Sequence, residues 1–226
     1  MRHLLSIGLV ALLVAGGCTS IGKQFDKILG IEEAGTAQEL AWDGMEAYEN
    51  GKYKKAIEHF QKLKDYYPFS KYAILAELKI ADSHYQREEY EEAILAYENF
   101  EQLHPRNEAI PYVIYQIGRC YFNQINTTDR DQNSAQKALE TFQRLIKQYP
   151  ADPYSTRATD HIRKAQKSLA GHAYGVGVFY YKTKHYKAAL NRFMTIISDY
   201  PDVGYHQKAL EYIAKCEASI TKEESD

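Results

Sequence analysis

The chain has little that would break a helix or loosen a linker: 13 glycines and six prolines in 226 residues. That excludes a linker-rich or collagen-like protein. Strand-type alternation of apolar and polar residues is hard to find, which removes an all-β architecture. Formal net charge is only −2, so the balance gives no support to nucleic acid as a main partner. The longest apolar run, Leu4 to Ala15, is 12 residues. A helix needs about 20 to span a bilayer, and no later stretch comes closer. There is no HExxH or Cys–His ligand spacing, no nucleophile elbow and no phosphate loop. The reading that follows is a binding protein, with no catalytic residues, metal or cofactor.

What is present begins with an address. Residues 1–18 read MRHLLSIGLVALLVAGGC: a basic start at Arg2 and His3, the apolar run, then Ala15, Gly16 and Gly17 leading into Cys18. These are the proportions of a secretory signal. The small residues before the cysteine resemble a bacterial lipobox, with Ala15 where Leu is usual. The expectation is a cleaved signal over residues 1–17 and a lipid on Cys18. Several acyl chains anchor stably, because each buried methylene contributes about 0.8 kcal/mol. Thr19, in place of the Asp that tends to retain lipoproteins at the inner membrane, favours the outer membrane. Residues 18–35 are then a lipidated tether, 36–221 a folded array and 222–226 a polar tail. Cys120 and Cys216 read as small buried core residues, two repeats apart and unsuited to a bridge.

The array declares itself by self-similarity. Aligned on proline, four segments carry Ala, an aromatic four residues on, an apolar residue three further, and Pro five beyond. The quartets are Ala56/Phe60/Leu63/Pro68, Ala93/Tyr97/Phe100/Pro105, Ala138/Phe142/Leu145/Pro150 and Ala189/Phe193/Ile196/Pro201. The spacing is one stripe of a helix closed by proline. Twelve residues before three of the alanines stands a small residue of a preceding helix: Gly44, Ala81 and Gly177. In the third unit Gly118 lies twenty before Ala138, so that turn carries an eight-residue insertion. These are the signature positions of the tetratricopeptide repeat. The fold expected is all-α, a superhelical solenoid of about five helix pairs. Helices are placed near 36–50, 53–67, 70–87, 90–104, 109–124, 133–149, 153–169, 171–183, 186–200 and 204–220, the boundary at Ala170–His172 being open to a continuous bent helix. Asp152-Pro153 is a strong helix start.

Charge is uneven: residues 77–101 hold eight acidic and two basic residues, and residues 130–192 twelve basic and four acidic. The pattern fits either solvated helix faces or a dipolar scaffold with different partners at its two ends. Tyr48, Tyr85, Phe122 and Tyr181 each follow the small residue of their helix by four, on the same face. They either pack between helices or form a ladder for an extended peptide. Tyr67-Pro68-Phe69 at the first inter-repeat corner is open in the same way. Asp129-Arg130-Asp131-Gln132-Asn133 followed by Glu140 mimics a calcium loop but puts Ser134 where the sharp turn needs Gly. Asp131 or Asn133 is better read as a helix cap. Arg192 precedes the buried stripe residue Phe193 and so points away from it; its guanidinium suits a bidentate carboxylate.

Taken in order, YPFSKY (67–72), HPRNEAIPYVIYQIG (104–118), DRDQ (129–132), YPADPYSTRA (149–158) and NRFMTIISDYP (191–201) resemble the BamD family. These are lipoproteins of the outer-membrane β-barrel assembly (Bam) machinery, and the likeness covers nearly all of the mature chain. It implies that the C-terminal repeats bind the periplasmic POTRA domains of a BamA-like barrel protein, with the Asn191-Arg192 motif at the contact. It implies too that the N-terminal repeats receive unfolded outer-membrane protein precursors, and that other Bam lipoproteins are partners. A short insertion before DRDQ and a very short C-terminal tail depart from the family. The rival readings are a pilotin-like repeat lipoprotein assisting secretin or pilus assembly and, more distantly, a helical domain of a cell-wall enzyme.

Overall fold

The computed structural model describes residues 35–125, 127–128 and 130–225. The signal sequence, Cys18, most of the tether, and Asn126 and Asp129 lie outside the described residues. Within them are nine α-helices and no strand: α1 Ala37–Glu49, α2 Tyr53–Tyr66, α3 Ala73–Gln86, α4 Tyr90–Leu103, α5 Ile110–Asn123, α6 Asn133–Gln148, α7 Pro153–Lys182, α8 Tyr186–Asp199 and α9 His206–Ser225. Each packs chiefly on its neighbours in the chain, with α5 also touching α7. That is the stacked repeat array the periodicity calls for.

Local chemistry sets the ends. Thr36 and Glu39 form a capping box that starts α1. Asp152 caps α7 by accepting the Tyr154 N–H at 2.8 Å, with Pro153 in the first turn. The tight turns inside units one, two and four share one geometry. Lys52, Glu89 and His185 each donate their N–H to a carbonyl five residues back, at 2.8, 3.0 and 2.9 Å. The residue before each is left-handed: Gly51 at φ 71°, and Glu88 and Lys184 both at 62°. Gly takes that conformation freely, whereas Glu and Lys hold it against their Cβ atoms.

The quartets form the core. Ala56, Phe60, Leu63, Ala93, Tyr97, Ala138, Phe142, Leu145, Ala189, Phe193 and Ile196 are all 0% exposed, and Phe100 is 1%. The glycines explain the pairing. A Cβ on Gly44 would sit 2.6 Å from Phe60, one on Gly118 2.5 Å from Phe142, and one on Gly177 2.7 Å from Phe193. Three units therefore bring the two helices together across a bare glycine and a phenylalanine face. The second unit has Ala81 and Tyr97 instead. Cys120 and Cys216 are buried free thiols, and burial pushes the Cys120 thiol up to about 12.

One open boundary is resolved and one helix end is corrected. Residues 153–169 and 171–183 are one continuous helix, the 30-residue α7. Gly171 alone costs a helix only about 1 kcal/mol, and no proline follows to enforce a break. Gly171 is there for a neighbour, because a Cβ would lie 2.8 Å from the Tyr205 hydroxyl. At the C-terminal end α9 continues through Ser225, so residues 222–225 extend the helix as exposed turns rather than forming a separate tail.

Candidate functional site

The residues singled out from sequence fall in different settings. Tyr48, Phe122 and Tyr181 are half-buried and Tyr85 is 8% exposed. Tyr48, Tyr85 and Tyr181 each meet a tyrosine at the start of the next helix, Tyr53, Tyr90 and Tyr186, with ring centroids 5.5, 5.8 and 5.4 Å apart. Phe122 instead meets His161 of α7 at 4.6 Å. Two of the rings are covered by a cation from the following unit: Lys79 lies 4.4 Å from the Tyr48 centroid and Arg119 4.6 Å from that of Tyr85. Tyr85 belongs to the buried core, and Tyr48, Phe122 and Tyr181 pack in part against the cores of their own units. Asn191 and Arg192 are exposed on α8, immediately before the buried Phe193. Phe69 is fully exposed at its corner, and Tyr67 packs in part on the first unit's core.

Sequence reasoning missed a buried polar centre in unit two. Asp82, on α3, is 2% exposed. Its Oδ1 accepts from the Tyr97 and Tyr112 hydroxyls, both at 2.7 Å, and its Oδ2 from Lys79 Nζ at 2.8 Å. Gln116 then donates to the Tyr112 hydroxyl at 3.0 Å, and Arg119 donates to Gln116 Oε1 at 3.0 Å. A buried carboxylate needs hydrogen-bond and charge partners, and here three donors supply them, one of them a lysine. Burial, and next the Asp82 charge, raise the Tyr97 and Tyr112 hydroxyls well above the usual range, so both remain donors. The available signal was Tyr97 itself. A tyrosine in a register otherwise held by phenylalanine brings a hydroxyl into the core and needs a partner there.

The uneven charge is partly neutralised inside the array. Arg144 of α6 grips Glu101 of α4 through both its terminal nitrogens, so the basic segment meets the acidic one across a unit boundary. His104 and Glu77 pair at 2.6 Å. In the inserted loop, Asp131 Oδ1 accepts the Asn133 N–H at 3.1 Å at the entry to α6, and Thr128 O meets His172 Nδ1 at 2.6 Å. No helix among the described residues is long and apolar enough to cross a membrane.

Helix pairs stacked through small-residue contacts define a tetratricopeptide-type repeat scaffold. Residues 33–226 match the YfiO family model, described as outer membrane lipoprotein, and the chain belongs to that family. Relatives carry the name outer membrane protein assembly factor BamD. One from Rickettsia prowazekii is 32% identical over 210 residues, covering 93% of this chain and 81% of its own. One from Caulobacter vibrioides is 27% identical over 205 residues, covering 91% and 67%. Among solved structures, a Podosopora anserina kinesin light chain with TPR-like repeats aligns over 86% of this chain and 99% of its own, with TM-score 0.46 and 13% identity.

Proposed function

We propose that this chain is an outer-membrane protein assembly factor: a lipid-anchored scaffold on the periplasmic face that binds other proteins and catalyses no reaction. The family match across residues 33–226 carries the reading. The finer assignments extend it. Cys18 bears the lipid, and the C-terminal repeats hold the POTRA domains of a BamA-like partner at Asn191 and Arg192. The row of Tyr48, Tyr85, Phe122 and Tyr181 receives precursor segments. An exposed guanidinium beside a rigid helix suits a partner carboxylate, and rings with adjoining cations suit an extended chain, whose side chains alternate between apolar and polar.

Arg192→Glu tests the partner contact. The variant folds as the parent does, because Arg192 is exposed and supports none of the core. Affinity for the partner's purified POTRA domains is expected to fall at least tenfold, about 1.4 kcal/mol. Charge reversal at the matching acid restores it. Wild-type affinity in the folded variant removes Arg192 from the interface.

A further inference from the structure

The repeat register exposes a missing helix. In each unit the residues five before, one before and two after the small residue form one stripe of the first helix. In unit two these are Ala76, Ile80 and Ser83, 1%, 8% and 0% exposed; in unit three they are Val113, Ile117 and Cys120, 0%, 2% and 0% exposed. These first helices lie against the second helix of the unit before, α3 on α2 and α5 on α4. Unit one has no such helix before it among the described residues, and its stripe is Glu39, Asp43 and Glu46, all exposed. A solvated edge of that kind is how repeat arrays end.

Gly177 sets the same stripe in the last unit as His172, Val176 and Phe179. Among the described residues no second helix covers it, because α7 omits one. Its first half packs on α6 through Ala158 and Ala165, then it runs straight into the half that carries Gly177 and pairs with α8. The uncovered stripe is apolar: Phe179 is 62% exposed, and Val176 and His172 are half-buried. A cavity of about 430 Å³ lies there, lined by Gly171, Gly175, Val176, Phe179 and Tyr180, with Thr128 and His172 closing one end.

We infer that this slot docks an acidic amphipathic helix of another polypeptide, which takes the place of the omitted second helix. Gly175 leaves bare backbone on the helix surface, where a Cβ would meet nothing within 4 Å, while Gly171, one turn earlier, is already packed against Tyr205 and Thr128. Bare backbone lets a second helix approach closely. Val176 and Phe179, three apart on one face, supply the apolar contact. From Gly171 to Tyr180 the slot runs about 13 Å, the length of two to three helical turns. Charge selects the partner. Residues 161–198 contain seven basic residues and no acidic one, with Lys167, Lys182 and Lys184 exposed among them. A docked helix with carboxylates flanking its apolar stripe is attracted, and a basic one is repelled. The inference rests on the fold and does not depend on the assembly reading.

The test uses the full-length protein in outer-membrane vesicles, with Tyr180→p-benzoylphenylalanine placing a photocrosslinker at the end of the slot. On irradiation the adduct is expected to map, by mass spectrometry, to a net-negative segment of another protein with apolar residues at helical spacing. Adding Gly175→Leu fills the slot from an open position. It should cut adduct yield at least about tenfold while leaving the thermal midpoint unchanged or higher. An adduct on a second copy of this chain, on lipid or on a basic segment overturns the inference. So does the absence of any adduct, or a yield that survives Gly175→Leu.

Discussion

Units two and three occupy the same register and solve the same contact differently. Unit three is apolar at the crossing: Gly118 lies bare against the Phe142 ring, which stacks on His161 at 5.1 Å and 13°. Unit two has Ala81 and Tyr97, and the Tyr97 hydroxyl is met by the carboxylate of Asp82. One extra oxygen in the ring thus requires an acceptor, the acceptor is charged, and the charge recruits Tyr112 and Lys79. The residue one beyond the small position is therefore a buried acid in unit two. In unit three it is Arg119, half-buried over the ring of Tyr85. Both crossings reach the next unit, unit three's by stacking Phe142 on His161 of α7 and unit two's by the Asp82 carboxylate that binds Tyr112 of α5.

The largest effect should come from removing either ring. Tyr97→Ala and Phe142→Ala each delete a fully buried aromatic and are expected to destabilise by about 3–5 kcal/mol, read as urea midpoints at constant slope. If polar ties carry unit two, the Tyr97 loss should exceed that of Phe142, because truncation also strips a donor from Asp82. Equal losses would mean that packing alone sets both contacts.

The register position itself is tested next. Asp82→Ala leaves the Tyr97 hydroxyl buried without its acceptor, an expected loss of about 1–3 kcal/mol. Arg119→Ala removes a cation–π contact and a bond to Gln116, for about 0.5–1 kcal/mol. A loss at Arg119 as large as that at Asp82 would erase the distinction between the two units.

The repeat, its four quartets and the burial of both cysteines were legible because each depends on local spacing. The 30-residue α7 was only half legible. A helix continues unless something stops it, and the glycine at 171 marks a close neighbour, Tyr205, that lies far along the chain. Asp82 was hidden for a related reason: its partners Tyr97 and Tyr112 are 15 and 30 residues away, and no periodic pattern announces a buried acid. The uncovered stripe His172, Val176 and Phe179 appears only when the units are compared in register, since taken alone it reads as an ordinary apolar turn of helix.

The smallest expected effect is a pH dependence at unit three's crossing. His161 lies among Phe122, Phe142 and Tyr115, with Nε2 3.2 Å from the Tyr115 hydroxyl and Nδ1 buried without a partner. Burial, and then the nearby charges of Lys164 and Arg119, hold its pKa below 6.5, with only Asp160 opposing. In the unfolded chain the imidazole regains its ordinary value of about 6.5, so between the two values the unfolded state binds more protons. The contribution is present in full above the unfolded value and is lost as pH falls through the folded one. Urea midpoints from pH 8 to pH 5 should therefore drop more steeply for the wild type than for His161→Phe, which keeps an aromatic ring but cannot titrate. Unit two has no histidine at its crossing, so Tyr97→Phe should leave the wild-type slope intact. Parallel curves for the wild type and His161→Phe would show that the ring is protonated as easily in the fold as in water, and the stacked, neutral imidazole would have to be abandoned.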